Sequence, residues 1–261
     1  MTPTASRHTV SCWGTVIRIE ARDPVDAAVI DAVFDWFRLV DARFSTWRGD
    51  SEISRIGAGT LGVEEASADV REVLLLADAM RTYTGGAFDI GVGADPRVTR
   101  WEGLGVIDPS GIVKGWALKR AATMLHDAGV HNFAVNAGGD VIVAGHAAAG
   151  EAWRVGIQHP YQRDRVACTV AVTDGGVATS GRYERGDHIV DPRTGTSATA
   201  LVAATVVADS LSFADAVATA LVALGADAPR WLEDHPDVAA FLIDPAGMTT
   251  STAAFDACRA D

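Results

Sequence analysis

The stretch Asn132-Phe-Ala-Val-Asn-Ala-Gly-Gly-Asp-Val-Ile-Val143 decides the fold. Residues 132–136 and 141–143 carry the branched and aromatic side chains that suit a pleated surface, and Gly138-Gly139 between them permits a tight turn. Two strands joined by so short a link must lie antiparallel, because a parallel pair needs a crossover of a dozen residues or more. The pattern recurs along the chain. Residues 153–157, 166–172 and 201–208 read as further strands, and residues 238–243 and 248–252 as a closing hairpin around Asp244-Pro-Ala-Gly247. Strands that follow strands, with helices intermixed, predict an α+β fold with mixed or antiparallel sheets flanked by helices, rather than a doubly wound parallel sheet.

Four helices and one short helical turn accompany these strands. Pro24 suits the first turn of a helix in which Ala27, Ile30, Val33, Phe34, Phe37 and Val40 recur at helical spacing. Residues 51–55 suggest one helical turn. Residues 69–83 form an amphipathic segment stopped by Gly85-Gly86, residues 111–128 another stopped by Gly129, and residues 212–224 a third stopped by Gly225. Residues 9–20 alternate enough to read as one strand, with Val10, Cys12, Val16 and Ile19 as its apolar points. No linker or repeat interrupts residues 1–261, which read as one unit.

Composition narrows the function. Of 261 residues 48% are hydrophobic and 21% charged, enough for a sizeable core. A net charge of −12 argues against nucleic acid or an anionic membrane as the main partner. Cys12, Cys168 and Cys258 are odd in number and widely spaced, so neither a zinc knuckle nor a disulfide framework is indicated. The N-terminal residues show no apolar signal segment, and no run of about 18 apolar residues predicts a membrane helix. A cytoplasmic location and no membrane insertion are the expectations.

Several clusters could carry chemistry, each with a plainer account beside it. Ala178-Thr-Ser-Gly-Arg-Tyr-Glu-Arg-Gly-Asp-His-Ile-Val-Asp-Pro-Arg-Thr-Gly195 reads as loop, short strand and turn. Its hydroxyls and arginines suit an anion, and His188 suits proton transfer near neutral pH; a polar hairpin with a surface histidine accounts for the same residues. Asp215 and Thr219 lie four apart on one helix face, a pair of oxygens suited to a hard cation such as Mg²⁺; a surface carboxylate beside a threonine bonded to its own backbone is the plainer account. Lys114 opens a helix, where charge and dipole would favour a diphosphate, unless it is simply solvated. Thr84-Gly-Gly-Ala-Phe-Asp89 allows close backbone approach to a ligand, or merely caps a helix. Trp13 and Trp47 could stack on a flat ring, or be core. No Gly-x-Gly-x-x-Gly opens a helix after a strand, so the pattern fits a Rossmann fold poorly, and Thr84–Asp89 is not a P-loop because no Gly-Lys-Ser/Thr follows.

Taken in order, these segments resemble the ApbE family, the FAD:protein FMN transferases. The matching pieces are Trp13-Gly-Thr15, residues 44–56, Thr84-Gly-Gly-Ala-Phe-Asp89, Gly111-Ile-Val-Lys-Gly-Trp116, Val135-Asn-Ala-Gly-Gly-Asp140, Ala178-Thr-Ser-Gly181, His188-Ile-Val-Asp-Pro-Arg-Thr-Gly195 and Ala214-Asp-Ala-Val-Ala-Thr219. The resemblance implies a two-lobed, T-fold-like single unit. It also implies Mg²⁺-dependent transfer of FMN from FAD to a Ser or Thr hydroxyl of an acceptor flavoprotein, with AMP leaving. It assigns His188 as base and Asp215, Thr219 and the Val113 carbonyl as metal ligands. Trp13, Trp47, Ala87, Phe88 and Asp89 become flavin-nucleotide contacts, with Thr179, Ser180 and Gly181 lining the same pocket. The family commonly has Met at Trp13, Tyr at Trp47 and a nucleotide-contacting Asp at Lys119, where this chain reverses the charge. Two other readings stay open: an FAD diphosphatase releasing FMN and AMP, and a flavin-binding protein without turnover.

Overall fold

The computed structural model describes residues 5–91, 103, 105–182 and 189–260. Its centre is an eight-stranded sheet in the order β1-β2-β3-β4-β7-β10-β11-β12, and every neighbouring pair in it is antiparallel. The strands are β1 Ser6–Cys12, β2 Thr15–Ala21, β3 Phe133–Ala137, β4 Asp140–Ala144, β7 Gly175–Gly181, β10 Ala203–Ala208, β11 Ala239–Ile243 and β12 Thr249–Ser251. Between β4 and β7 the chain makes a separate hairpin, β5 Trp153–His159 and β6 Gln162–Val172, and returns to pair β7 beside β4. A small hairpin, β8 Val190–Asp191 and β9 Thr196–Ser197, encloses the Asp191–Gly195 turn.

The alternation of side chains across the strands explains the layering. Ile142, Ala144, Ala178, Ala204 and Val206 point to one face, where they join the large core formed with helices α1 Ala27–Phe44, α3 Ala68–Tyr83, α4 Ser110–Asp127 and α5 Leu211–Leu224. Val141, Val143, Val177, Ala203 and Phe241 point to the other, where β5, β6 and Phe255 of α7 Ala253–Asp256 cover them. Short helices α2 Glu52–Gly57 and α6 Ala228–Glu233 complete the described elements. The α5–α6 stretch Leu211–Glu233 is long and apolar enough to cross a bilayer by length and composition, which the sequence reading did not flag. Most of it is buried inside the protein, so its apolarity is accounted for by the core.

Two local expectations need correction. Residues 9–20 are not one strand but a hairpin, turning at Trp13-Gly14 with both residues at positive φ (56° and 71°). A tryptophan there is uncommon; its ring packs edge-on to Phe37 at 5.2 Å and its Nε1–H donates to the Phe37 carbonyl at 3.2 Å, contacts that hold the conformation. Pro24 does not enter α1. The helix starts at Ala27, with Asp26 accepting the Ala28 N–H at 2.9 Å as N-cap.

Candidate functional site

The helices α4 and α5 pack against each other on one face of the sheet, and two glycines let them do so. A Cβ on Gly115 would lie 2.5 Å from the Leu211 carbonyl oxygen and 2.7 Å from Ser212 Cα. Only a residue without a side chain fits that approach. One turn earlier, a Cβ on Gly111 would lie 2.8 Å from Thr219 Oγ1 and 3.3 Å from Phe88 Cε2. Because position 111 meets 219 while 115 meets 211, the helices run antiparallel, and Asp215 is carried to the middle of the crossing. Its Oδ2 accepts the Gly115 N–H at 3.1 Å.

Five polar side chains gather there from four elements. Asp215 of α5 is 2% exposed and Asp140, first residue of β4, 1%. Thr219 Oγ1 lies 2.9 Å from Ser180 Oγ of β7. The Lys114 ammonium pairs with Asp140 Oδ2, and Asp140 Oδ1 accepts the Thr179 N–H at 3.1 Å. Burial pushes the Asp215 carboxyl up to about 7; the nearby Asp140 charge adds to the rise, and Lys114 and the Gly115 N–H oppose it. A protein that holds a carboxylate so far from its ordinary range has a site that favours an added positive charge.

Among the described residues no three His, Cys, Asp or Glu side chains converge to hold a metal. A cation at Asp215 would be held by hydroxyl and backbone oxygens, completed by water or substrate. That donor set fits Mg²⁺, a hard cation that keeps several such ligands, and not zinc.

The other expected residues divide. Thr179, Ser180 and Gly181 belong to strand β7 rather than to a loop. The pleat sends Thr179 Oγ1 to Thr205 Oγ1 at 2.9 Å while Ser180 faces Thr219, so Ser180 is the one aimed at α5. Ala87 and Phe88 are buried, the Phe88 ring edge supporting Gly111. Asp89 pairs with Arg81 at 2.9 Å and accepts the Gly91 N–H at 2.9 Å. Val113 is packed in the core, and the α4 residue against Thr219 is Gly111. Lys114 stands a full turn inside α4, so its charge works through Asp140 rather than at the helix start. Lys119 is exposed on α4, about 12 Å along the axis from Gly111 at 1.5 Å per residue. Trp47 is 94% exposed in the segment between α1 and α2. Trp13 packs on Phe37 near the Gly138 turn, whose Cβ position would lie 3.2 Å from Thr15 Oγ1. His188 lies outside the described residues.

The arginines of the 178–195 segment are not all open to an anion. Arg193 forms two 2.9 Å bonds to the Asp191 carboxylate, which hold that carboxyl below its ordinary range although burial works against them. The reading from sequence missed Asp140 and Gly111 as site residues. The tight spacing of Asn136-Ala-Gly-Gly-Asp140 was visible, but the partner of Asp140 lies 26 residues away.

The model of the ApbE family matches residues 13–105 and 102–242. The chain belongs to the ApbE family. Curated relatives include the FAD:protein FMN transferase of Haemophilus influenzae, 27% identical over 83% of this chain and 79% of that one. That of Vibrio cholerae is 29% identical over 71% and 70%. Among solved structures, the ApbE protein of Thermotoga maritima superposes with a TM-score of 0.86 at 24% identity, over 99% of this chain and 100% of that one. The flavin transferase ApbE of Vibrio cholerae superposes at 0.83 and 23%, over 98% and 100%. These superpositions establish the ApbE fold, an α+β arrangement about a large antiparallel sheet.

Proposed function

We propose that this chain transfers the FMN half of FAD to a Ser or Thr hydroxyl of an acceptor flavoprotein, with Mg²⁺ and with AMP leaving. Its coarser part, an enzyme of flavin transfer that uses FAD, follows from ApbE membership and from the name its curated relatives share. The observation that carries the finer part is the meeting of Asp215, Thr219 and Ser180 beside Lys114. Phosphoryl chemistry depends mostly on positioning and on charge stabilisation, and this cluster offers both.

Asp215, Thr219 and, by the resemblance, the Val113 carbonyl are the groups that would hold the metal. Charge neutralisation of the diphosphate is the chemistry Mg²⁺ supplies when bound there. Lys114 places a second positive charge at the same point. Ser180 Oγ lies 2.9 Å from Thr219 Oγ1 and either hydroxyl can donate; with Thr219 as donor, its oxygen lone pairs are left for the site. Burial of Asp140 and Asp215 excludes water and strengthens each of these interactions. The resemblance assigns proton removal from the acceptor hydroxyl to His188, and Trp13 and Trp47 to flavin-nucleotide contacts.

The test is incubation of the chain with FAD, Mg²⁺ and a candidate acceptor domain, followed by denaturing electrophoresis with flavin fluorescence and by intact-mass measurement. A gain of one FMN on the acceptor, lost in His188→Ala and Asp215→Ala, is the expected result. AMP release without labelling of the acceptor selects hydrolysis instead, and FAD binding with no turnover selects a binding protein.

A further inference from the structure

Lys114 faces two buried carboxylates, and the structure distinguishes them. Its ammonium pairs with Asp140. Asp215 feels the same charge only through space, while its Oδ2 takes the Gly115 N–H. Asp140 is fixed from its other side by the Thr179 N–H at 3.1 Å. With both carboxylates ionised, the form a cation binds, they and one ammonium sum to a single negative charge in surroundings nearly closed to water. A lysine on a flexible stem would satisfy either carboxylate. Were it to move to Asp215, it would occupy the oxygen a cation needs.

We propose that Asp140 is a positioning residue that anchors Lys114 away from Asp215 and so keeps the Asp215 and Thr219 oxygens open to a divalent cation. The inference rests on the metal role proposed above for Asp215 and Thr219. Removing the Asp140 charge has two consequences of the same sign: the local negative potential falls, and the carboxylate that draws Lys114 away from Asp215 is lost. Only the second disappears when Lys114 is also neutralised, so a double-variant cycle separates them.

The probe is Mn²⁺, which shares the oxygen preference of Mg²⁺ and whose free form is counted by electron paramagnetic resonance. The full chain is titrated without FAD. Asp140→Asn preserves shape and the acceptor for the Thr179 N–H. It is expected to weaken Mn²⁺ binding about tenfold, the size of coupling typical of groups in one buried network. Adding Lys114→Gln to Asp140→Asn is expected to restore affinity to within about threefold of Lys114→Gln alone, a rescue that a merely structural role for Asp140 does not produce. Asp140→Ser serves as the second neutral variant if the amide disturbs cooperative melting. An equal loss in both backgrounds, or no loss in Asp140→Asn, overturns the proposal. A wild-type chain that binds no Mn²⁺ removes the metal site and this inference together, whereas wild-type binding with additive variants removes the inference alone.

Discussion

Gly115→Ala sets two physical effects against each other. In an ordinary helix interior this change stabilises by about 1 kcal/mol, because alanine loses less backbone entropy on folding. Here the added Cβ would stand 2.5 Å from the Leu211 carbonyl oxygen and 2.7 Å from Leu211 C and Ser212 Cα, where ordinary contact begins at 3.4 Å. All three neighbours are backbone, so no rotamer relieves the clash, and α4 must move from α5 by roughly 0.9 Å at that point. Such overpacking costs about 1–3 kcal/mol. The same movement stretches the 3.1 Å bond from the Gly115 N–H to Asp215 to about 4 Å, beyond hydrogen-bond range. Losing it adds about 1.5–3 kcal/mol. Set against the alanine gain, the net is a destabilisation of about 3 kcal/mol, or a Tm lower by roughly 6–12 °C in a chain of this size. Thermal melting by circular dichroism measures it. Gly111→Ala is the companion: its Cβ meets the side chains of Thr219 and Phe88, which can yield, so melting should change little while Mg²⁺-dependent turnover falls at least tenfold. A Gly115→Ala protein that melts at or above the wild-type temperature would refute the close helix approach on which the Asp215 geometry depends.

Other outcomes follow from the same geometry. Folded Asp215 keeps a proton up to about 7, whereas an unfolded aspartate releases it near 3.8. The folded state therefore binds more protons in that window, and metal-free stability should fall as pH rises from about 4 to about 7, by at most about 4 kcal/mol. Urea titrations should show the slope and Asp215→Asn should flatten it. Asp191 has the opposite sign. Its lowered pKa contributes stability above the unfolded value that is lost as pH falls through the folded one, so Arg193→Ala should narrow the acid side of the stability curve. Because Arg193 bonds Asp191 and not the Asp140–Asp215 cluster, Arg193→Ala should leave FAD affinity within about twofold, while Lys114→Ala, which removes the positive charge of that cluster, weakens it at least tenfold; fluorescence titration compares the two. Trp47→Ala should alter stability by no more than about 0.5 kcal/mol, as an exposed side chain does, so any loss of turnover in that variant reports on substrate contact.

The parts of the fold set by neighbouring residues were legible. The β3–β4 hairpin, the amphipathic helices and the β11–β12 hairpin all follow from spacing and turn residues within about twenty positions. The β1–β2 turn was not, because Trp13-Gly14 lacks the Asn-Gly or Asp-Gly signature and depends on a ring contact with Phe37, far along the chain. Nor was the passage from β4 to β7 past the β5–β6 hairpin, since nothing in a strand's own pattern names its neighbour. The site divides the same way. Asp215 and Thr219 stood out as two polar residues four apart on an apolar helix. Asp140 and Ser180 act on partners 26 and 39 residues away, and only the folded chain brings them together.

Helix α5 is buried at nearly every position, and it carries both Asp215 and Thr219. A helix clasped on all sides cannot fray or swing by itself; its amide protons exchange with solvent when the whole core opens. The spacing of those two oxygens is therefore a property of the global folding equilibrium and not of any loop. Change over evolutionary time, or by engineering, has its freedom in exposed connections such as the α1–α2 segment that carries Trp47, while the clasped helix stays as it is.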